Sequence, residues 1–539
     1  IYKSPFSAEF LKTTYNSESR VQEYLPIAER GYLSMTDGAS FSYDGNVTLN
    51  YNTLVNEKHI IYAGVGLEVT QNDNNSHGFI MTGFPDDRYS DPAFAIQYKK
   101  ETKPSSSESK SRAIGFFANG NYSYDDRYFA DVSVRIDGSS KFGADKKYAP
   151  FWSAGAGWNV HNEKFFKHTK ISMLKLRYSY GVTGNQEFSA YQAKTMFQFN
   201  TDRLYNSGIS AALMGYGNPD LEWQNQYQSN YGFDFGYAKD RIRLQFNYYQ
   251  KKTEGMLTSV SVAPSLGLPS NTFTSNLGKI QNKGVEVNLN AVLIRDQGKD
   301  FEWSVMLQAA HNKNKIMEIS TALKNINEKN NQDKTTPAAV YEEGESMSAI
   351  KAVPSLGIDP TTGQELFMKK DGTITYTWDA TDKVICGDSE PKVFGNVGTN
   401  LYWKGWNLNM VFKYDLGADY YNSTLAERVE GANPRYNADR RVLNNRWKEP
   451  GQHALYKNIK EYTTTYISSR FVQKENTLQL TSLSLSYDLN REWIRKFGLN
   501  TMRLSFYMND VFRASTVKNE RGLDYPFQRS FVFGLNIGF

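Results

Sequence analysis

The sequence predicts an all-β chain, a transmembrane antiparallel β-barrel, and three observations carry that reading. Segments of about ten residues, the length a tilted strand needs to cross hydrocarbon, alternate large apolar with polar side chains. The connections between these segments alternate short and long, as in barrels with tight turns on one side of a membrane and long loops on the other. The composition is 14% aromatic with 40 glycines and only 16 prolines, a mix that suits strands and tight turns better than helices.

Along the chain, residues 1–39 show no clean alternation. Phe10, Leu11, Tyr15, Val21, Tyr24 and Leu25 fit either a loop or a partly helical lead-in, so the barrel is placed at 40–539. Within it, Tyr128, Ala130, Val132, Val134 and Ile136 share one face, and Phe129, Asp131, Ser133 and Arg135 share the other. Ile242, Leu244, Phe246 and Tyr248 oppose Arg241, Arg243, Gln245 and Asn247 in the same way. So do Met502, Leu504, Phe506 and Met508 against Arg503, Ser505, Tyr507 and Asn509. Similar patterns occupy 283–294, 405–417 and 476–489, and the chain closes on Phe531, Phe533, Leu535, Ile537 and Phe539.

Short connections are expected at Asn56–Glu57, Asp125–Asp126, Ala238–Asp240, Arg295–Asp300 and Lys404–Gly405, all at the end where the C-terminus lies. Long ones are expected at 71–111, 185–225, 253–282, 314–345 and 418–475. One further turn at that short end, Ile358–Gly363, is expected between strands near 346–357 and 364–370, for about 17 strands in all. A soluble sandwich, adhesin or glycan-binding, tolerates alternation too, because its polar faces meet water. It does not explain the loop asymmetry over so many strands.

Several function classes lose support. Lys plus Arg less Asp plus Glu is 62 − 57 = +5, and the basic residues come as scattered doublets, so charge does not point to nucleic acid. Cys386 is the only cysteine, which leaves no internal disulfide and no thiolate metal site. No run approaches 18 apolar residues, which excludes a membrane helix but not a barrel. The six histidines never pair at the spacing of a helical metal site, and no nucleophile, zinc-protease or phosphate-loop motif occurs. No catalytic, cofactor-binding or metal residue is assigned, and no enzyme is expected; a glycoside hydrolase would need paired acids, and Asp86–Asp87 and Glu342–Glu343 read as solvated. Asp359-Pro-Thr-Thr-Gly363 and Asp371-Gly372 lack calcium-loop spacing and read as two turns, which leaves calcium in the long loops as the one cofactor still open.

Tyr124, Tyr128, Trp152, Trp158, Trp403 and Trp406 fall near strand ends, where interfacial girdles sit. Tyr341, Tyr376, Trp378, Tyr436 and Trp447 fall inside long loops, where they either stack against a bound substrate or build the loops' own core. Arg135, Arg243 and Arg503 point to the polar, inner face.

Longer stretches carry a resemblance. Arg127-Tyr-Phe-Ala-Asp-Val-Ser-Val-Arg-Ile-Asp-Gly-Ser-Ser-Lys-Phe-Gly143 is followed by Trp152-Ser-Ala-Gly-Ala-Gly-Trp158 and Leu174-Lys-Leu-Arg-Tyr-Ser-Tyr-Gly-Val-Thr-Gly-Asn-Gln186. Asn218-Pro-Asp-Leu-Glu-Trp223, Asn282-Lys-Gly-Val-Glu286, Gly387-Asp-Ser-Glu-Pro-Lys392 and the tail 522–539 complete the set. Together these resemble the SusC/RagA-like family of TonB-dependent outer-membrane transporters of Bacteroidota. The resemblance implies a plugged barrel of about 22 strands, with roughly the first five strands and the plug not in this sequence. It implies an importer of oligosaccharides or oligopeptides in the outer membrane of a Gram-negative bacterium. Its partners would be a SusD-like surface lipoprotein and, through the plug, the TonB complex; a dimer of such pairs is a further assembly the resemblance allows. Arg135, Arg243 and Arg503 would then line the lumen or face the plug. The alternative is a passive, porin-like or structural barrel in a larger surface assembly. The chain opens at Ile1 without methionine or signal-like segment, as a portion of a longer protein would.

Overall fold

The computed structural model describes residues 2–5, 14–15, 22–23, 25–86, 88, 90–143, 146–166, 170–185, 190–205, 208–261, 272–276, 278–319, 324, 327–328, 330–335, 337, 339–433, 439–460, 464–518 and 528–539. A single antiparallel sheet of 17 strands dominates it. Two of these are two-residue pieces, Tyr2–Lys3 and Gln97–Tyr98. The others are β1 (Tyr32–Val55), β2 (His59–Thr82), β3 (Ser105–Tyr124), β4 (Tyr128–Ser139) and β5 (Tyr148–Asn159). β6 (Ile171–Asn185), β7 (Gln224–Tyr237), β8 (Ile242–Glu254), β9 (Lys279–Asp296) and β10 (Phe301–Glu318) follow. β11 (Val393–Trp403), β12 (Trp406–Tyr421), β13 (Val472–Asp488), β14 (Thr501–Ser515) and β15 (Phe531–Gly538) complete the sheet.

Each long strand pairs antiparallel with its sequence neighbour, from β1 through to β15. On its other edge β1 is bonded only at Tyr32 and Leu33, to Lys3 and Tyr2, and among the described residues no ladder joins β15 to β1. Fifteen is odd, so both edge strands run toward the short-turn end. Antiparallel closure therefore needs an odd number of additional strands, which gives the even total of bacterial single-chain barrels.

The tight turns are where the sequence places them. Asn56 and Glu57 have φ of 51° and 58°, Asp125 and Asp126 of 50° and 52°, and Lys404 and Gly405 of 46° and 87°. Two central residues of positive φ make the mirror-image turn whose twist matches a right-handed hairpin. The backbone N–H groups of Lys58 and Arg127 close the first two by donating to the carbonyls of Val55 and Tyr124.

Other expectations need correction. Ile358–Gly363 is a turn, but it does not join barrel strands. Ser355–Ile358 pairs with Glu365–Met368 and then Ile374–Thr375 in a separate three-stranded sheet. Ala349–Ala352 pairs instead with Val384–Asp388. All of 319–392 is thus one excursion between β10 and β11. Because two strands leave the walk together, the directions of the rest are unchanged. The expected loop 71–111 is mostly strand: β2 runs to Thr82 and β3 starts at Ser105. β1 begins at Tyr32, inside the expected lead-in, and Phe10, Leu11, Val21 and Tyr24 lie outside the described residues.

The faces are inverted relative to a water-soluble protein. In β4, Val132, Val134 and Ile136 are 53%, 44% and 45% exposed, whereas Asp131, Ser133, Arg135 and Asp137 are half-buried. Phe531, Phe533, Leu535 and Ile537 of β15 are exposed as well. A sandwich would bury the apolar face. An uncovered apolar band with a sheltered polar face is what lipid outside and a lumen inside require.

Candidate functional site

The sheltered polar face is the first candidate. Arg135 Nη2 lies 2.7 Å from Glu68 Oε2, across β3 on β2, and its Nε 2.5 Å from Asp137 Oδ1 on its own strand, so the wall itself already neutralises it. Arg243 pairs with Asp240 at 2.8 Å and Arg503 with Asp488 at 2.5 Å. Arg177 with Asp234 at 3.3 Å and Arg295 with Glu302 at 2.7 Å follow the same scheme. Between them run amides and hydroxyls: Gln226 donates to Gln228, Gln228 to Asn230, and Asn230 to Ser179. The wall offers hydrogen bonds without a large single-sign field.

At its long-loop end this face holds a cavity of about 320 Å³, lined among others by Glu68, Arg112, Arg135, Asp137, Lys141 and Trp223. The separate sequence stretches that carry the family resemblance meet beside it. Phe142, Phe151, Val182 and Trp223 form one buried cluster, with the Phe142 and Trp223 rings 4.4 Å apart. Gly143 sits so close to the Pro219 backbone that a side chain there would overlap it, and Leu221 is fully buried. These motif positions shape the rim of the cavity by packing.

The second candidate is a body built from the two longest connections, 319–392 and 422–471. Val353, Ile467, Phe471, Val429 and Val442 form its apolar interior. The Ser469 N–H donates to the Val353 carbonyl at 2.9 Å, and the Ser355 N–H donates to Ser469 Oγ at 2.9 Å. Glu430, whose carboxylate is wholly buried, meets Arg470 at 2.5 and 2.8 Å, and Arg470 also grips Glu365 at 2.8 and 3.2 Å. Burial alone would lower the Arg470 pKa, but the bonds to Glu430 and the charges of both carboxylates hold it well above the usual value. Arg446 donates to the carbonyls of Val429, Glu430, Val442 and Lys457. These residues are far apart in sequence and follow no spacing rule, so sequence reading gave no signal for them.

Four of the five loop aromatics lie in this body. The Trp378 indole N–H donates to the Ile467 carbonyl at 2.9 Å, and its ring stacks on Tyr466 at 5.2 Å. The Trp447 N–H donates to the Pro360 carbonyl at 2.8 Å, and its ring covers Gly363. The Tyr341 backbone is held by the Asn327 side chain. Tyr376 is 48% exposed, with its hydroxyl donating to Asp359 at 2.6 Å, a bond that lowers the Asp359 pKa. Tyr436 lies outside the described residues. Asp359–Gly363 and Asp371–Gly372 are turns closed by their own carboxylates. Among the described residues no three His, Cys, Asp or Glu side chains are grouped to hold a metal ion.

Gly387–Lys392 joins this body to the wall. Glu390 accepts from Asn312 at 2.5 Å and Asn314 at 2.6 Å, both on β10, while Asp388 accepts from Ser348 at 2.6 Å. Glu390 anchors the excursion to the strand it left, and Asp388 ties the excursion to itself.

The model of the TonB dependent receptor-like β-barrel family matches residues 4–511. TonB-dependent receptor P3 of Formosa agariphila is 28% identical over 486 residues, 81% of this chain and 46% of its own length. TonB-dependent receptor SusC of Bacteroides thetaiotaomicron is 23% identical over 535 residues, 93% of this chain and 51% of its own length. A solved structure of the RagAB peptide transporter superposes with a TM-score of 0.80 at 22% identity, covering 91% of this chain and 53% of that one. The chain spans about half the length of the curated relatives it matches.

Proposed function

Because the chain belongs to the TonB-dependent receptor β-barrel family, a family of outer-membrane proteins and not of enzymes, we propose that it is the barrel portion of an energised importer of oligopeptides or oligosaccharides. A surface lipoprotein closes its outer mouth, and a plug within the lumen couples it to TonB. The observation that carries this reading is the folded body of 319–392 and 422–471 standing over a self-neutralised, amide-lined wall. The wall's neutral donors and acceptors suit substrates rich in amide or hydroxyl groups. The RagAB structure is titled a peptide transporter, but at 22% identity that likeness is one of fold, so peptides and sugars both stay within the proposal.

The test is uptake by cells carrying the full-length protein, using fluorescent oligopeptides and oligosaccharides, with and without TonB. Uptake lost on deleting either the protein or TonB, with a lipoprotein co-purifying in equal amount, is the expected result. Uptake that survives loss of TonB would make the barrel a passive pore.

A further inference from the structure

The lipid-facing side carries a groove of about 530 Å³ lined among others by Ala156, Trp158, Leu176, Tyr178, Tyr231 and Phe233. Register places all six on the apolar face: Ala156 lies opposite Ala130 and Tyr178, Trp158 opposite Tyr128 and Leu176, and Leu176 opposite Phe233. The floor is low because two alanines meet there, and the walls are high because rings flank them, with Tyr178 and Tyr231 4.7 Å apart.

One end of the groove is fixed by the β5–β6 connection. Glu163 accepts from the Trp158 indole N–H at 3.1 Å and from the Tyr128 hydroxyl at 2.9 Å, and both rings belong to the lipid face. The connection is therefore drawn to the outer rim, not into the lumen. It presents Lys164 and Phe165, both exposed, the phenylalanine at 69%, where tight polar turns such as Asn56–Glu57 and Asp125–Asp126 present nothing apolar. Amphipathic rings, a projecting phenylalanine and a free-reaching ammonium at one level are the elements of a headgroup boundary.

We infer that this groove binds an acyl chain of a glycerophospholipid in the leaflet on the short-turn side, with Lys164 against the lipid phosphate and Phe165 seated among the headgroups. The groove is continuous with the membrane-facing surface, and the cation at its rim complements phosphate.

The test places the full-length protein in phosphatidylethanolamine and phosphatidylglycerol vesicles containing trace phosphatidylglycerol with a diazirine in its acyl chain, then maps crosslinks by mass spectrometry. Crosslinks concentrate on peptides holding Ala156, Leu176 and Tyr231 relative to the outward residues of 283–294, and Ala156→Trp abolishes that excess. Lys164→Glu lowers it roughly fivefold, the effect of one basic residue at an anionic surface, without changing labelling by diazirine diacylglycerol, which has no phosphate. Heat-modifiable gel mobility confirms that each variant folds, and Leu176→Trp fills the groove from the other wall should Ala156→Trp misfold. Even labelling around the barrel, indifferent to either tryptophan, would reduce the groove to ordinary lipid contact. A change of oligomer size on filling the groove would make it a protein contact and overturn the assignment.

Discussion

Phe129 occupies the space that a side chain on Gly157 would need, and Lys175 Nζ sits 4.1 Å from the centre of the same ring. The relationship repeats on the polar face: Phe117 fills the space over Gly66, Phe151 over Gly184 and Tyr249 over Gly284. Each glycine admits a ring from the neighbouring strand, and the ring shields backbone that a glycine would leave bare. Gly157→Ala is therefore expected to cost about 1–3 kcal/mol by overpacking, seen as a lower temperature at which the barrel loses its heat-modifiable mobility. Adding Phe129→Leu should recover most of the loss. A Gly157→Ala protein as heat-resistant as wild type would show that the ring simply swings aside.

Removing Glu430 leaves Arg470 with one carboxylate and strips the Lys457 backbone N–H and the Thr465 hydroxyl of their acceptor. Breaking one partner of a buried charge pair typically costs about 3–5 kcal/mol. Glu430→Ala should make 422–471 protease-sensitive while the sheet stays intact. Cleavage unchanged from wild type would mean that the apolar interior alone holds the body together.

Trp447 and Tyr376 are expected to separate by their effects. Trp447→Ala loses a partly buried hydrogen bond, worth about 1–3 kcal/mol when its partner is stranded, and uncovers Gly363, so the body loosens whether or not substrate is present. Tyr376→Ala removes an exposed ring and should weaken substrate binding in a titration while leaving protease resistance unchanged. The opposite pattern would exchange their roles.

Asp439 accepts from the Arg441 guanidinium at 2.8 and 3.0 Å and from the Arg441 backbone N–H at 2.8 Å. The Arg441 side chain, then its backbone, holds the carboxyl far below its ordinary value. A depressed carboxylate contributes stability above its unfolded pKa of about 3.9 and loses it as pH falls through the folded value. The turn at 439–444 should therefore resist pepsin near pH 4 and become cleavable as pH approaches about 2. Asp439→Asn should be cut equally at both. Equal cleavage of wild type at both pH values would remove the link.

How much of this was legible follows from the range of each interaction. Strand faces in β4, β8 and β14 could be read because period-2 alternation is local, and the turns at Asn56 and Asp125 because only a few residue types tolerate positive φ. The hairpin at 355–368 misled because a two-strand pattern looks the same in a barrel wall and in an outer loop. Arg135, Arg243 and Arg503 lie on the polar face; the partner of Arg243, Asp240, is three residues away in the predicted turn, whereas Glu68 and Asp488 meet Arg135 and Arg503 through register, which single-sequence reading does not supply. Trp378 and Trp447 could be placed in a loop body, but their indole partners, Ile467 and Pro360, lie 89 and 87 residues away.

The shared direction of β1 and β15 bears on how such a wall is assembled. If the two edges met early, they would have to zip in parallel, with slanted bonds and a shifted register, against fourteen antiparallel seams. Closing a wall of this strand count on itself would therefore set one parallel seam among fourteen antiparallel ones, a weaker join than any it already has.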